Sequence, residues 1–163
     1  MNRQSLILML LAIIGFSACK QAENKSINLD ELKSSIVKLD SNYSHHIQSQ
    51  HADSVVTLYK SNAVFMSPGE ASTIGKDQIK AWYQNAFDYG LRTINYTIKD
   101  LNADDVYVIE SGSVVVGLTA PETDTLQYEK YKYIHVWEKQ ENEKYLIIRK
   151  MWNNDVAEIN NAE

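Results

Sequence analysis

Apolar residues near the start of the folded region recur at the helical period. Five of them are three or four positions apart and fall on one helix face: Leu29, Leu32, Ile36, Leu39 and Tyr43. Asn28 with Glu31 three residues later forms a capping-box pattern. The spacing therefore predicts a long amphipathic helix that starts after Asn28 and ends near Gln50.

Two more helices and a short strand follow. The pattern predicts a short helix over residues 52–59, a strand over 63–66 and a helix over 76–89, with Gly90 at the C-terminal stop. Ser67-Pro68-Gly69-Glu70 has the composition of a turn. The apolar residues of the last helix predict its buried face: Ile79, Trp82, Tyr83, Ala86 and Phe87.

From about residue 94 the period changes to two. Ile94, Tyr96 and Ile98 alternate with polar residues. Three long strands are then predicted over residues 106–117, 126–139 and 144–152, joined by turns at 119–125 and 140–143. Successive strands with short connections form an antiparallel meander. Helices followed by such a meander predict an α+β domain with the helices packed on one sheet face.

The N-terminal segment has the pattern of an export signal. Arg3 precedes an unbroken apolar run, Leu6 to Phe16, which is shorter than the roughly 20 residues that span a bilayer as a helix. Ser17, Ala18 and Cys19 follow, and this box resembles a bacterial lipoprotein cleavage site. The resemblance implies cleavage before Cys19, lipid on its sulfur and a location in the bacterial cell envelope, inner or outer membrane unresolved. An ordinary secretory signal is the alternative.

The domain boundaries follow from these patterns. We predict a signal peptide over residues 1–18, the lipidated Cys19 with a short polar tether over 19–27, the folded domain over 28–156 and a tail over 157–163.

The composition limits the classes of binding partner and cofactor that we expect. The 163 residues carry a net charge of −5, so a basic nucleic-acid binder is not expected. The single cysteine excludes an intrachain disulfide framework and a cysteine-based zinc site. His45, His46 and His51 contain no pair four residues apart, as a helical zinc site would need. We therefore predict no metal and no cofactor.

The order of elements and several short motifs resemble the SnoaL-like branch of the nuclear transport factor 2-like superfamily. The resemblance covers about residues 29–155. The motifs that carry it, in chain order, are Ser67-Pro68-Gly69 with Ile74-Gly75 and Ile79, Glu110 two residues before Gly112, Lys132-Tyr133-Ile134-His135-Val136-Trp137, and Met151-Trp152-Asn153. It implies a cone in which a curved antiparallel sheet wraps around three helices and leaves a cavity at its open end.

Two positions depart from the pattern of that branch. Asn62 stands where an acid usually precedes Ala63, and Lys150 stands where an acid is frequent two residues before Trp152. The superfamily includes isomerases, cyclases, dehydratases and non-catalytic binding modules, so the fold does not select the function.

Strand parity identifies the candidate chemistry. Glu110 is the only charged residue on an otherwise apolar strand face, where desolvation is expected to raise its pKa and suit it to general acid or base work. A structural hydrogen bond or ion pair, for example with Arg149 or Lys150, is the alternative. Tyr133 and His135 share a face of the next strand, and these three residues are the catalytic candidates.

The aromatic residues supply the candidate ligand-binding wall. Tyr43 and Tyr133 could hold a ligand oxygen, as the phenol does in ketosteroid-type isomerases of this fold, or could simply be core residues. The full set of ligand-binding candidates is Tyr43, Phe65, Trp82, Trp137, Trp152 and Asn153.

Three functions fit these observations. The first is a non-catalytic envelope lipoprotein that binds a small, partly apolar ligand in the cone, because the expected wall is aromatic with few ionisable groups. The second is a cofactor-independent isomerase or hydratase that uses Glu110 and His135 for proton transfer. The third is a homodimeric scaffold that associates through the outer sheet face around Ile134 and Val136.

Overall fold

The structure is a computed structural model that describes residues 27–120, 123, 125–142 and 144–154. The predicted signal peptide, Cys19 and the C-terminal tail lie outside the described residues. Within the described part of the chain, no helix combines the length and the apolar character needed to cross a membrane.

The helices form on one side of the molecule. Helix α1 spans Leu29–Gln48, and the Asn28 side chain caps it by accepting hydrogen bonds from the backbone N–H groups of Asp30 and Glu31. A short helix α2 (Ala52–Val55) continues into a 3₁₀ turn (Val56–Leu58), and helix α3 spans Lys76–Asp88. The second predicted helix was therefore too long at its end, because the backbone becomes extended at Tyr59.

Six strands form one curved sheet. Their bounds are β1 Tyr59–Met66, β2 Thr73–Ile74, β3 Leu91–Ala103, β4 Tyr107–Thr119, β5 Leu126–Lys139 and β6 Tyr145–Asn154. The order across the sheet is β2-β1-β6-β5-β4-β3, and β3 to β6 form the predicted antiparallel meander. The α+β fold with helices on the inner sheet face is confirmed.

The antiparallel pairing predicted for the meander does not extend across the whole sheet. Strand β1 lies beside β6 and runs parallel to it, and β2 pairs antiparallel with β1 on its other side. The strand also begins at Tyr59, four residues earlier than predicted. The sheet is therefore mixed, and its parallel pair joins the N-terminal helical part to the last strand.

A glycine permits the sheet to curve. Gly112 lies on the inner face of β4, opposite Ile98 of β3, next to a register shift between Ile98 and Asp100. A Cβ atom at Gly112 would lie 2.0 Å from the backbone oxygen of Thr97. Only glycine fits this approach, and such a glycine inside a strand typically marks a bulge or a bend.

Candidate functional site

A cavity of about 450 Å³ lies between α3 and the inner face of the sheet. Its wall is mainly apolar and aromatic: Phe65, Trp82, Ala86, Leu91, Ile94, Val114, Val116, Leu118, Tyr131 and Trp152. The rings of Phe65, Trp82 and Trp152 pack on each other, with the Phe65 centroid 4.7 Å from each of the other two. Glu70, which accepts a hydrogen bond from Trp82 Nε1, and the exposed Tyr89 also line the cavity. The site suits a ligand with an apolar body.

Lys150 and a group of tyrosines form the polar part of the wall. Lys150 Nζ donates hydrogen bonds to the hydroxyl oxygens of Tyr43 at 2.6 Å, Tyr96 at 2.8 Å and Tyr83 at 3.1 Å. The ammonium position also lies 4.3 Å from the centre of the Tyr43 ring. Tyr83, Tyr96 and Lys150 line the cavity, whereas Tyr43 lies behind them and bonds further to Tyr59 and Tyr83.

Burial dominates the electrostatics of this group. Desolvation lowers the pKa of Lys150 well below its usual value, and the carboxyl groups of Asp40 and Glu110 offset only part of that effect. Desolvation also raises the pKa values of Tyr43, Tyr83 and Tyr96, so their hydroxyls are neutral donors and acceptors.

Glu110 is fully buried and tightly hydrogen-bonded. Tyr133 Oη donates to its Oε1, Trp137 Nε1 donates to its Oε2 at 2.7 Å, and His135 Nδ1 lies 3.5 Å from Oε2. Burial alone would raise the pKa of Glu110, but His135 and the Tyr133 hydrogen bond stabilise the charged form and lower the pKa overall. The expectation of a raised pKa was therefore wrong.

Glu110 has structural hydrogen bonds, as the alternative interpretation expected, but from Tyr133 and Trp137 and not from the example partners Arg149 and Lys150. Arg149 is exposed and donates to the carbonyl oxygen of Ile148. Lys150 bonds to tyrosine hydroxyls, and no ion pair joins it to Glu110 within the described residues.

Asp40 completes the buried cluster, and the sequence reasoning missed it. It lies on the buried face of α1, with one carboxylate oxygen 3.9 Å from His135 Nδ1. Desolvation, followed by repulsion from Glu110, raises its pKa, so this carboxyl group is the protonated one. The sequence does contain a signal for Asp40, because this acid lies between Ile36 and Tyr43 of the apolar stripe on α1.

His135 is the unsatisfied member of this cluster. Both ring nitrogens and Asp40 Oδ1 are buried and make no hydrogen bond within the described part of the chain. Desolvation lowers the pKa of His135, with the Glu110 carboxylate opposing that shift. Asp40, Glu110 and His135 offer one potential metal-ligand atom each, all within 4.8 Å of one another, a constellation that the sequence pattern did not reveal.

The predicted site residues divide into two layers. Tyr133, Phe65, Trp82 and Trp152 line the cavity. A second group is fully buried and does not line it: Glu110, His135, Tyr43 and Trp137. The structure thus places Glu110 and His135 together, as expected, but behind the wall, where Tyr133 lies between Glu110 and the cavity.

Asn153 does not belong to this cavity. It follows Trp152 on β6, and strand alternation turns it outward, where it is exposed and accepts a hydrogen bond from the backbone N–H of Asn154. The same alternation brings Lys150 inward beside Trp152, so parity with Trp152 was the signal that could have identified Lys150.

Three helices on a curved six-stranded sheet with an internal cavity define the nuclear transport factor 2-like fold. A family model for the SnoaL-like domain matches residues 41–146, and the chain belongs to this family.

Solved structures show the same fold. The chain is similar to a nuclear transport factor 2-like superfamily protein from Salmonella enterica serovar Typhimurium, with a TM-score of 0.68 and 12% identity over 83% of this chain and 99% of that one. A ketosteroid isomerase-like protein from Erwinia carotovora atroseptica aligns with a TM-score of 0.63 and 16% identity over 75% and 95% of the two chains. No curated protein matches the sequence.

Proposed function

We propose that the protein binds a small, partly apolar ligand in the cone cavity without transforming it by acid–base catalysis. The observation that carries this proposal is the cavity of about 450 Å³, whose mainly apolar wall contains a polar region formed by Lys150, Tyr83 and Tyr96. That arrangement favours a ligand with an apolar body and an oxygen-bearing end, because the amine and the hydroxyls would otherwise lie against hydrocarbon.

The alternative, proton transfer by Glu110 and His135, has less support. Among the described residues, neither side chain lines the cavity, and Tyr133 alone connects Glu110 to it by a hydrogen bond. The lowered pKa of Glu110 also makes its carboxylate a weak base. A general base must reach the proton it removes directly or through one water, so buried residues behind the wall are poorly placed for this work.

Ligand binding can be measured by thermal shift and by quenching of Trp82 and Trp152 fluorescence. The panel contains steroids, polyketide-like aromatics and fatty acids. A ligand at about one hundred times its Kd is expected to stabilise the fold by about 2.7 kcal/mol. Ala86→Phe fills the cavity and should abolish that effect, whereas Val37→Phe, on the exposed face of α1, should retain it. Equal responses in both variants, or no response to any class, contradict the proposal.

The lipid anchor is a second part of the proposal. The support is the position of the only cysteine, Cys19, directly after Ser17-Ala18 and the apolar run. Wild-type protein expressed in a bacterium should sediment with membranes and carry a lipid mass on Cys19. Cys19→Ser should move it to the soluble fraction or leave its leader uncleaved, and a membrane-bound, unlipidated wild type would contradict the anchor.

A scaffold role through homodimerisation is the second candidate function. The outer sheet face has exposed apolar residues on three adjacent strands: Ile109 on β4, Ile134 on β5 and Met151 on β6. Ile134 lies directly opposite Met151 in the β5–β6 pair. Contiguous exposed apolar surface of this kind is typical of an interaction face.

A further inference from the structure

Lys150 is an amine that faces an apolar cavity without a carboxylate partner. Its side chain is 3% exposed, and its hydrogen-bond acceptors are the hydroxyls of Tyr43, Tyr83 and Tyr96. Within the described residues no Asp or Glu oxygen lies within salt-bridge distance of Nζ. Lysines that bond to their ligands covalently occupy this kind of environment, desolvated and unpaired.

We propose that Lys150 captures the carbonyl group of an apolar aldehyde or ketone as an imine. The inference rests on the proposed function of the cavity and adds the chemical class of the ligand. The lone pair of the neutral amine forms a bond to the carbonyl carbon as the C=O π bond breaks, and one proton passes from nitrogen to the carbonyl oxygen to give a carbinolamine. The carbinolamine then loses its hydroxyl group, which leaves as water with the second proton from nitrogen, while the C=N bond forms. No oxidant or reductant takes part, and hydrolysis releases the ligand unchanged.

The neighbours of Nζ are suited to this reaction. Tyr83 and Tyr96 contact Nζ and also line the cavity, so their hydroxyls can donate to the carbonyl oxygen and to the departing hydroxyl. Their pKa values are raised by burial, which keeps those protons in place. Val114, Val116 and other apolar residues hold the remainder of the ligand.

Desolvation, and not the neighbouring charges, favours the neutral form of the Lys150 amine. Titratable groups from several elements interact with Lys150: Asp40 and Tyr43 of α1, Tyr83 of α3, Tyr96 of β3, Glu110 of β4 and His135 of β5. Asp40 and Glu110 oppose the effect of desolvation on the pKa of Lys150 but do not cancel it. Each unit by which the pKa falls gives about ten times more neutral, nucleophilic amine at a fixed pH below it.

Reductive trapping tests the proposal on the wild-type protein. The protein is incubated at pH 7 with 2-naphthaldehyde and sodium cyanoborohydride, which fixes an imine as a secondary amine, and peptides are mapped by mass spectrometry. Lys150, on β6, should be modified at least about tenfold faster than the exposed Lys132 of the neighbouring strand β5, because an exposed lysine is almost fully protonated at this pH. Modification of Lys132 and other exposed lysines without preference for Lys150 overturns the proposal.

A non-carbonyl analogue separates this proposal from simple binding. 2-Naphthalenemethanol has the same ring system and cannot form an imine. If the alcohol quenches Trp82 and Trp152 fluorescence but the aldehyde gives no adduct on Lys150, imine capture is wrong and ligand binding stands. If the alcohol does not bind and Lys150 is not modified, both proposals fail for this ligand class.

Three variants control for folding and access. Lys150→Met should lose the near-ultraviolet imine absorbance and Lys132→Met should keep it. Should Lys150→Met fail to fold, as judged by circular dichroism, the wild-type peptide map decides. Ala86→Phe should block trapping at Lys150 by filling the cavity, and undiminished trapping in that variant contradicts attack from inside it.

Discussion

Two carboxyl groups in one buried cluster titrate in opposite directions. Glu110 accepts hydrogen bonds from Tyr133 and Trp137, which stabilise its negative charge. Asp40 Oδ1 has no such donor, and its negative charge would stand beside that of Glu110. A buried site with few donors supports one carboxylate, so the proton stays on the less well solvated group.

Asp40→Asn should make the protein more stable at neutral pH. The folded-state pKa of Asp40 lies above the unfolded value of about 3.9, so its stabilising contribution is complete below that pH and is lost as pH rises toward the folded pKa. The amide imitates the protonated acid and avoids that loss. The stability difference should be near zero at pH 4 and grow by up to about 1.4 kcal/mol per pH unit.

Urea unfolding at pH 4, 6 and 8 measures this difference. Glu110→Gln is the matched comparison with the opposite sign, because the lowered pKa of Glu110 contributes stability above the unfolded pKa that is lost as pH falls. That variant should lose about 1–3 kcal/mol at neutral pH by weakening two buried hydrogen bonds. A difference for Asp40→Asn that is independent of pH would show that Asp40 is ionised in the folded protein.

At the scale of elements, the local sequence patterns predicted the helices and the antiparallel meander. They did not predict the parallel pairing of β1 with β6. The strand over Leu126–Lys139 was predicted with its observed bounds, since alternation and turns are encoded locally. The parallel pairing of β1 with β6 joins segments far apart in sequence, and nothing in either segment specifies the other.

A site residue could be predicted from the sequence only where its side chain differed in polarity from the rest of its strand face. Glu110 was identified as a lone charge on an apolar face, and His135 lies directly opposite it in the β4–β5 pair. Asp40 was missed as a member of this cluster because its proximity to Glu110 and His135 depends on how α1 packs over the sheet. Strand parity also does not distinguish a residue that lines a cavity from one that lies behind its wall.

Gly112→Ala should distort the curvature that positions these residues. The added methyl group would meet the Thr97 backbone oxygen at 2.0 Å, which requires the strands to separate. The expected cost is about 1–3 kcal/mol in urea unfolding, as for other overpacked sites. Because Gly112 lies between Glu110 and Val114 on the inner face of β4, the variant should also weaken ligand binding.

Ser111→Ala is the control on the same strand. Its side chain lies on the opposite face of β4, and its change in stability should stay within about 0.5 kcal/mol. Equal stability of the two variants would mean that β3 can move away from Gly112 without cost.

At the scale of the whole molecule, the two faces of the sheet have different roles. The inner face holds the cavity and the buried ionisable groups, whereas the outer face carries the exposed Ile109, Ile134 and Met151. Apolar side chains on the outer face contribute nothing to the core. Their exposure to water is therefore unfavourable in free energy unless another surface covers them.

Ile134→Glu should dissociate a homodimer that forms through this face. Ile134 is 38% exposed and lies opposite Met151, so a carboxylate there would be buried without a partner in a symmetric interface. Sedimentation velocity over a concentration series should show a dimer for the wild type and a monomer for this variant. Val37→Glu, which places the same charge on the exposed face of α1, should remain dimeric. A wild type that sediments as a single monomeric species throughout the series rules out the interface.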